Sequence, residues 1–122
     1  MGYHVVDPDV VDPEPDRPSE KRSISDAAEL ERVGAHVYGV APGEQVPYVY
    51  HYHDEQEEIL YVLEGTLSVE TPEETFEIDA GTAFVVEPES PHRAYNPAGA
   101  EEPVRLLAVG APAVDDAHEY EP

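Results

Sequence analysis

Cysteine is absent from the 122-residue chain, so a disulfide framework, a thiolate metal site and a cysteine nucleophile are all excluded. Lysine occurs once, at Lys21, which argues against a Schiff-base or lysine-base mechanism. No apolar run approaches the ~20 residues that a membrane-spanning helix needs. The N-terminus also lacks a basic region followed by an apolar stretch. We therefore expect no membrane span, no signal peptide and a cytoplasmic location.

Positive charge is scarce as well. Six Lys and Arg residues stand against 28 Asp and Glu residues, which gives a net charge of −22 at pH 7. Binding to nucleic acid or to an anionic membrane needs clustered cations, so we expect neither partner. Self-repulsion at this charge is costly in dilute buffer, and molar salt screens most of it. The composition therefore predicts a halophilic protein.

The chain divides into three parts by composition. Residues 1–22 form an acidic, proline-rich arm in which proline disfavours both helix and central strand. This arm either lies extended on a partner subunit through its valine pairs or is disordered. Residues 23–110 form the folded domain, and residues 111–122 form an acidic, linker-like tail.

Short runs rich in Val, Tyr, Ile, Leu and Thr fill the domain, with proline and glycine turn signals between them. A short helix with Ser25 as its N-cap precedes them. Many short strands at even spacing predict an all-β barrel or sandwich. The eight predicted strands are residues 35–40, 45–52, 58–64, 67–71, 75–78, 82–86, 92–96 and 104–109.

Three of the six histidines stand out by position. His51 and His53 are two residues apart in a predicted strand and therefore point to the same face. Two imidazoles at that distance are a natural start to a metal site, to which Glu58 could add a carboxylate and His92 a third imidazole. We expect His36, in the first predicted strand, to be a histidine at the edge of the core.

Two stretches resemble the paired motifs of the cupin superfamily. Residues 43–65 read GEQVPYVYHYHDEQEEILYVLEG. The two histidines, the glutamate and the last glycine follow one another at the family spacing, and the interval from Gly43 to His51 is two residues longer than in the family motif. Residues 81–96 read GTAFVVEPESPHRAYN, with every spacing matched. Two residues depart from the second pattern, Glu87 for proline and Glu89 for glycine. We expect the turn at Glu89 to have different dihedral angles as a result.

The resemblance implies a single jelly-roll barrel that holds one divalent transition metal ion: Mn, Fe, Co, Ni or Zn. The family's ligands carry over to His51, His53, Glu58 and His92. Glu57 is the alternative carboxylate, but only Glu58 leaves six residues before Gly65.

Strand alternation predicts an apolar lining beside the metal, typical of a site for a small organic molecule. These residues could equally just fill the barrel. The opposite face of the strand at 58–64 carries large apolar residues that a second sheet or a second subunit would cover, and we expect a homodimer. The predicted lining residues are Val49, Leu60, Val62, Phe84, Ala94 and Asn96.

Three functions remain open. The first is a metal-dependent enzyme of dioxygenase, isomerase or decarboxylase type, the second a non-catalytic module that binds a small, sugar-like ligand, and the third a structural barrel. Spacing singles out no catalytic residue. The acid–base candidates are Tyr38, Tyr48, Tyr95, His36, Glu87 and Glu89, of which we expect the two glutamates to be surface acids.

Overall fold

Short runs of alternating apolar and polar residues in the middle of the chain form antiparallel strands, as a computed structural model of the protein shows. It describes residues 2–122, except for the side chains of residues 47 and 48. The elements are a 3-10 turn (Pro8–Val10), β1 (Glu20–Ser23), α1 (Ile24–Ala27), β2 (Gly34–Val40), β3 (Gln45–His53), β4 (Glu57–Glu64), β5 (Thr66–Glu70), β6 (Thr75–Asp79), β7 (Ala83–Val86), β8 (His92–Tyr95), β9 (Val104–Ala111) and β10 (Ala117–Glu119).

The strands assemble into two five-stranded sheets. One has the order β1-β2-β9-β4-β7 and the other β10-β3-β8-β5-β6, with antiparallel pairing throughout both. This is the jelly-roll barrel predicted from the sequence. Each of the eight predicted strands is present, with its ends shifted by at most two residues.

The core lies between the two sheets and follows from the alternation along each strand. Leu60 and Val62 of β4 face Leu67 and Val69 of β5, and Leu106 of β9 packs with them; all five are at most 3% exposed. Burial of side chains of this size stabilises the fold by about 1.5–3 kcal/mol each. The core therefore holds together the two sheets that carry the three histidines and Glu58.

Two tight turns need left-handed backbone. Gly65 has φ +79°, and a Cβ atom there would lie 2.5 Å from the Pro103 carbonyl oxygen, so only glycine fits. Glu89 also lies in the left-handed region, with φ +63°. The expectation of different dihedral angles at Glu89 was wrong, because this turn keeps a conformation that glycine favours although a glutamate occupies it.

Both terminal segments contribute strands that the composition did not reveal. β1 lies within the segment predicted as an extended arm and pairs with β2, so that Lys21 stands opposite Tyr38. Pro18 precedes this strand, and β1 is an edge strand, where nearby proline is tolerated. β10 lies within the predicted tail and pairs with β3, placing Ala117 opposite His53. The folded barrel therefore extends beyond the predicted boundaries of 23 and 110.

The predicted helix is a single turn, and its N-cap differs from the prediction. Ser23 caps α1, with its Oγ accepting a hydrogen bond from the Asp26 backbone N–H at 3.0 Å. Ser25 is buried instead, and its Oγ accepts from the Ala35 backbone N–H, joining the turn to β2. None of the helical segments within residues 2–122 has the length and apolar character needed to cross a bilayer.

Candidate metal centre

Adjacent strands of one sheet bring three histidines together inside the barrel. His51 and His53 lie on one face of β3, as their spacing predicts, and His92 begins β8. The register places His51 opposite His92, with ring centroids 4.6 Å apart. All three side chains are buried. Alternation within β3 and pairing between β3 and β8 thus create the cluster.

The carboxylate comes from the opposite sheet. Glu58 on β4 places its Oε1 atom 2.8 Å from His53 Nε2 and 3.9 Å from His92 Nε2. Ligand atoms of His51, Glu58 and His92 all lie within 4.8 Å of one another. Glu57, the alternative carboxylate, is exposed. The four side chains named from the sequence motifs therefore meet at one buried position.

Each imidazole is held by a contact at its Nδ1 atom. His51 Nδ1 lies 2.8 Å from the Val49 carbonyl oxygen, and His92 Nδ1 lies 3.0 Å from the Ser90 carbonyl oxygen. A carbonyl oxygen can only accept, so Nδ1 carries the proton in both rings. Each Nε2 atom then keeps its lone pair for a metal ion.

The third imidazole is held by a residue that the sequence did not suggest. Asp116, in the segment before β10, accepts a hydrogen bond from His53 Nδ1 at 2.7 Å. Its other oxygen accepts from the backbone N–H groups of Glu55 and Gln56 at 2.7 and 3.0 Å. Asp116 lies 63 residues from His53 in an acidic stretch, and no motif spacing marks it.

Burial and charge set the protonation of the cluster in opposite ways. Burial, together with repulsion from His92, lowers the pKa of His51 to about 4, so this ring is neutral at pH 7. Burial also acts to lower the pKa of His53, but hydrogen bonds to Glu58 and Asp116 outweigh it and raise the pKa. Burial opposes ionisation of Glu58, yet its hydrogen bond with His53 and attraction to the histidines hold its pKa below the usual value.

This donor set fits a transition metal ion. Imidazole nitrogens with a carboxylate oxygen suit Mn, Fe, Co, Ni and Zn, and outer hydrogen bonds of the kind seen at each Nδ1 accompany metal-bound histidines. His53 lies between two carboxylates, with Nε2 2.8 Å from Glu58 Oε1 and Nδ1 2.7 Å from Asp116 Oδ1. His51, Glu58 and His92 could hold the ion, with His53 beside them.

The cupin domain family matches residues 36–110, which contain all four of these side chains. The chain belongs to the cupin superfamily. No curated protein sequence matches it.

Solved cupin structures share the fold at low sequence identity. A sugar phosphate isomerase of the cupin superfamily from Silicibacter pomeroyi superposes with a TM-score of 0.83 at 21% identity, covering 98% of this chain and 83% of that one. A polyketide cyclase from Streptomyces resistomycificus gives 0.82 at 22%, covering 99% and 87%. An oxalate decarboxylase from Lactobacillus farciminis gives 0.69 at 20%, covering 91% of this chain and 34% of that one. At these identities the likeness shows the fold alone.

A cavity of about 440 Å³ opens beside the candidate metal ligands in this cupin barrel. Leu60 lines it, as predicted, whereas Val49 is 46% exposed and Val46 lines the wall instead. The register of β3 shifts between Val46 and His51, and this irregularity breaks the alternation on which the Val49 prediction relied.

The other four predicted lining residues do not line this cavity, and three of them belong to the hydrophobic core. Val62 and Ala94 are fully buried there, and Phe84 packs against the core from β7. The Asn96 side-chain amide donates to the carbonyl oxygens of Val40 and Glu102 at 3.0 and 2.9 Å, and so joins the end of β2 to the loop before β9.

Two of the acid–base candidates, Tyr38 and His36, line the cavity, and three of the others are described outside it. Tyr38 and His36 face it from β2. The Tyr95 ring packs under the Arg93 guanidinium, 4.0 Å from ring centroid to Cζ. Glu87 and Glu89 are both exposed. The side chain of residue 48 lies outside the described part of the chain.

Proposed function

We propose that this cupin binds one divalent transition metal ion through His51, His53, Glu58 and His92, and acts on a small organic molecule in the adjoining cavity. One observation carries the proposal: three imidazoles and one carboxylate from two sheets meet at a buried position, and each Nδ1 atom already has an acceptor. A role in stability alone would not require three buried histidines held in this way.

The reaction class is an isomerisation, a decarboxylation or an oxygenation of the bound molecule. A bound ion would polarise a carbonyl or enolate oxygen or activate dioxygen. The chain itself supplies a cavity of about 440 Å³, which is large enough for a small metabolite. Tyr38 and His36 are the cavity-facing groups suited to proton transfer. The alternative is a module that binds such a ligand without turnover.

Metal content tests the site. Mass spectrometry of untagged, chelator-free protein is expected to find about one Mn, Fe, Co, Ni or Zn per chain in the wild type, and His51→Ala is expected to lose it. His118→Ala is the matched control, because that histidine is exposed and pairs with Asp54 at 2.6 Å. A folded wild type that contains no metal and takes none up on reconstitution would contradict the proposal.

Turnover separates the enzyme from the binding module. The metal-loaded protein is tested for oxygen consumption when the ion is redox-active, and for isomerase or decarboxylase activity otherwise. Activity that disappears in His51→Ala supports the enzyme. Ligand binding without product in any assay supports the module.

We also propose that two copies of the chain form a homodimer. The outer face of β4 and β7 carries a cluster of large apolar side chains, which are between 40% and 65% exposed in the single chain. Such a patch is typical of a protein–protein interface. Its members are Ile59, Tyr61, Leu63 and Val85.

A further inference from the structure

The segment that follows β9 forms one wall of the cavity beside the candidate metal ligands. We call residues 112–120 of this segment the strap. The strap includes β10, which lies at the edge of its sheet and pairs there with β3. Its side chains that line the cavity are Ala113, Val114, Asp115 and Ala117. The strap therefore separates part of the cavity from solvent.

The opening of the cavity lies between the strap and the segment that joins α1 to β2. Leu30 of that segment and Val114 of the strap both line the cavity, and they are 47% and 43% exposed. A backbone hydrogen bond from the Ala113 N–H to the Arg32 carbonyl oxygen, at 3.1 Å, joins the two segments. Both of these residues are exposed, so water can replace this bond at little cost.

The strap is attached to the barrel mainly by polar contacts. None of its residues is buried. The Gln56 side-chain amide donates to the Pro112 carbonyl oxygen at 3.0 Å. The Tyr120 backbone N–H donates to the Tyr50 carbonyl oxygen at 2.9 Å, and the two rings pack beside each other. Segments with so little buried apolar surface open locally while the rest of the protein stays folded.

Asp116 connects the strap to the candidate metal site. One oxygen of its carboxylate accepts from His53 Nδ1 at 2.7 Å, and the other accepts from the backbone N–H groups of Glu55 and Gln56. Detachment of the strap takes this carboxylate away and leaves the His53 ring without the partner that orients it. An ion that binds through His53 therefore favours the attached strap, and by linkage the attached strap favours the ion.

We propose that the strap is a lid, which detaches to admit the metal ion and the small molecule and closes over the cavity when the ion is bound. Asp116 is the positioning residue that couples closure to metal binding. A lid of this kind keeps water away from a molecule bound beside the ion. This inference rests on the proposed metal site.

Amide hydrogen exchange of the untagged 122-residue chain, with and without one equivalent of Zn²⁺, tests the inference. The reporter is the Tyr120 amide, whose hydrogen bond to Tyr50 is broken when the strap detaches. Zinc is expected to slow its exchange by about tenfold or more. The control is the Glu14 amide, which donates to the Lys21 carbonyl oxygen at the edge of the other sheet and is expected to keep its exchange rate. An unchanged Tyr120 rate in zinc-loaded protein would overturn the proposal.

The Asp116→Ala variant separates a coupled lid from simple stiffening of β3 by the metal. Stiffening would protect the Tyr120 amide whether or not Asp116 is present. In zinc-saturated Asp116→Ala the gain in protection is expected to be lost, whereas Asp115→Ala, a change at the exposed neighbour, is expected to keep it. A full gain in Asp116→Ala would overturn the coupling. Zinc content is measured on every sample: a chain that binds no zinc counts against the proposed metal site, and a zinc-loaded chain with an unprotected strap counts against the lid.

A disulfide across the opening tests whether the ion passes beneath the strap. The chain has no cysteine of its own, so Arg32→Cys with Ala113→Cys adds one defined pair at two hydrogen-bonded residues. The oxidised variant is expected to release zinc to a chelator about tenfold or more slowly than the wild type. Arg32→Ser with Ala113→Ser is the matched control without the crosslink and is expected to release zinc at the wild-type rate. Equal release by the crosslinked variant and this control would overturn the lid.

Discussion

Glu89 holds a backbone conformation that its side chain disfavours. Its φ of +63° lies in the left-handed region, which glycine adopts without cost and other residues do not. The same residue donates its backbone N–H to the His53 carbonyl oxygen at 2.7 Å. The turn before β8 is therefore attached to the strand that carries two candidate metal ligands, and this attachment keeps a glutamate where glycine would be relaxed.

Glu89→Gly is expected to stabilise the protein by about 1 kcal/mol, because glycine removes the left-handed penalty without altering the hydrogen bond. Glu87→Gly, a change of the same kind outside the left-handed region, is expected to lower stability by up to about 1 kcal/mol. Urea unfolding at a fixed salt concentration measures both. Destabilisation by Glu89→Gly would mean that the glutamate side chain itself supports the turn.

At the scale of elements, the two terminal strands lie beside the candidate site. β1 brings Lys21 to the cavity. β10 pairs with β3, the strand that carries His51 and His53. The Tyr120 backbone N–H donates to the Tyr50 carbonyl oxygen at 2.9 Å, and the two rings pack with centroids 5.0 Å apart. This docking positions Asp116 against His53 at the start of β10.

Asp116→Ala is expected to weaken metal binding by about 10–100-fold, since His53 loses the partner that orients its ring and keeps its proton on Nδ1. Competition with a chelator of known affinity measures the effect. Asp115→Ala serves as the control. Asp115 is the neighbouring residue and its carboxylate is exposed, so this variant is expected to keep the wild-type metal affinity. Equal affinity of Asp116→Ala and the wild type would show that His53 is oriented by other contacts.

At the scale of the whole molecule, the net charge of −22 makes the stability of the fold depend on salt concentration. Self-repulsion opposes the compact state, and salt shortens its range from about 10 Å at 0.1 M to about 3 Å at 1 M. A halophilic origin remains a prediction from composition.

The free energy of unfolding is expected to rise between 0.1 M and 1 M salt, as measured by thermal or urea denaturation. Potassium chloride and sodium chloride at equal ionic strength are expected to give similar gains, because screening depends on charge and concentration rather than on the ion. A stability that stays level or falls over this range would contradict the prediction.

We expect two copies of the chain to associate through the apolar outer face of β4 and β7. Tyr61 is 40% exposed in the single chain, and Tyr61→Glu would place a charge at the centre of the proposed interface. Sedimentation is expected to show a wild-type dimer and a Tyr61→Glu monomer. Tyr3→Glu, in the N-terminal segment and 90% exposed, is expected to remain dimeric. A monomeric wild type would contradict the dimer proposal directly.

The sequence by itself predicted the eight central strands, which the structure confirms, and the four candidate metal ligands. Strand periodicity, turn residues and motif spacing are local properties, so they can be read without coordinates. His51 and His53 share a face because of a two-residue period. The spacing to Gly65 selected Glu58 over Glu57, and the structure places Glu58 in the cluster.

Only the tertiary structure decided the parts that depend on distant pairing. β1 and β10 are short and lie in proline-containing terminal segments, and they become strands because β2 and β3 offer free edges to them. The contacts of Asp116 with His53 and of Lys21 with the cavity join residues far apart in the chain. The register shift in β3 moved Val49 outward. Local patterns carry no information on these arrangements, since packing between elements fixes them.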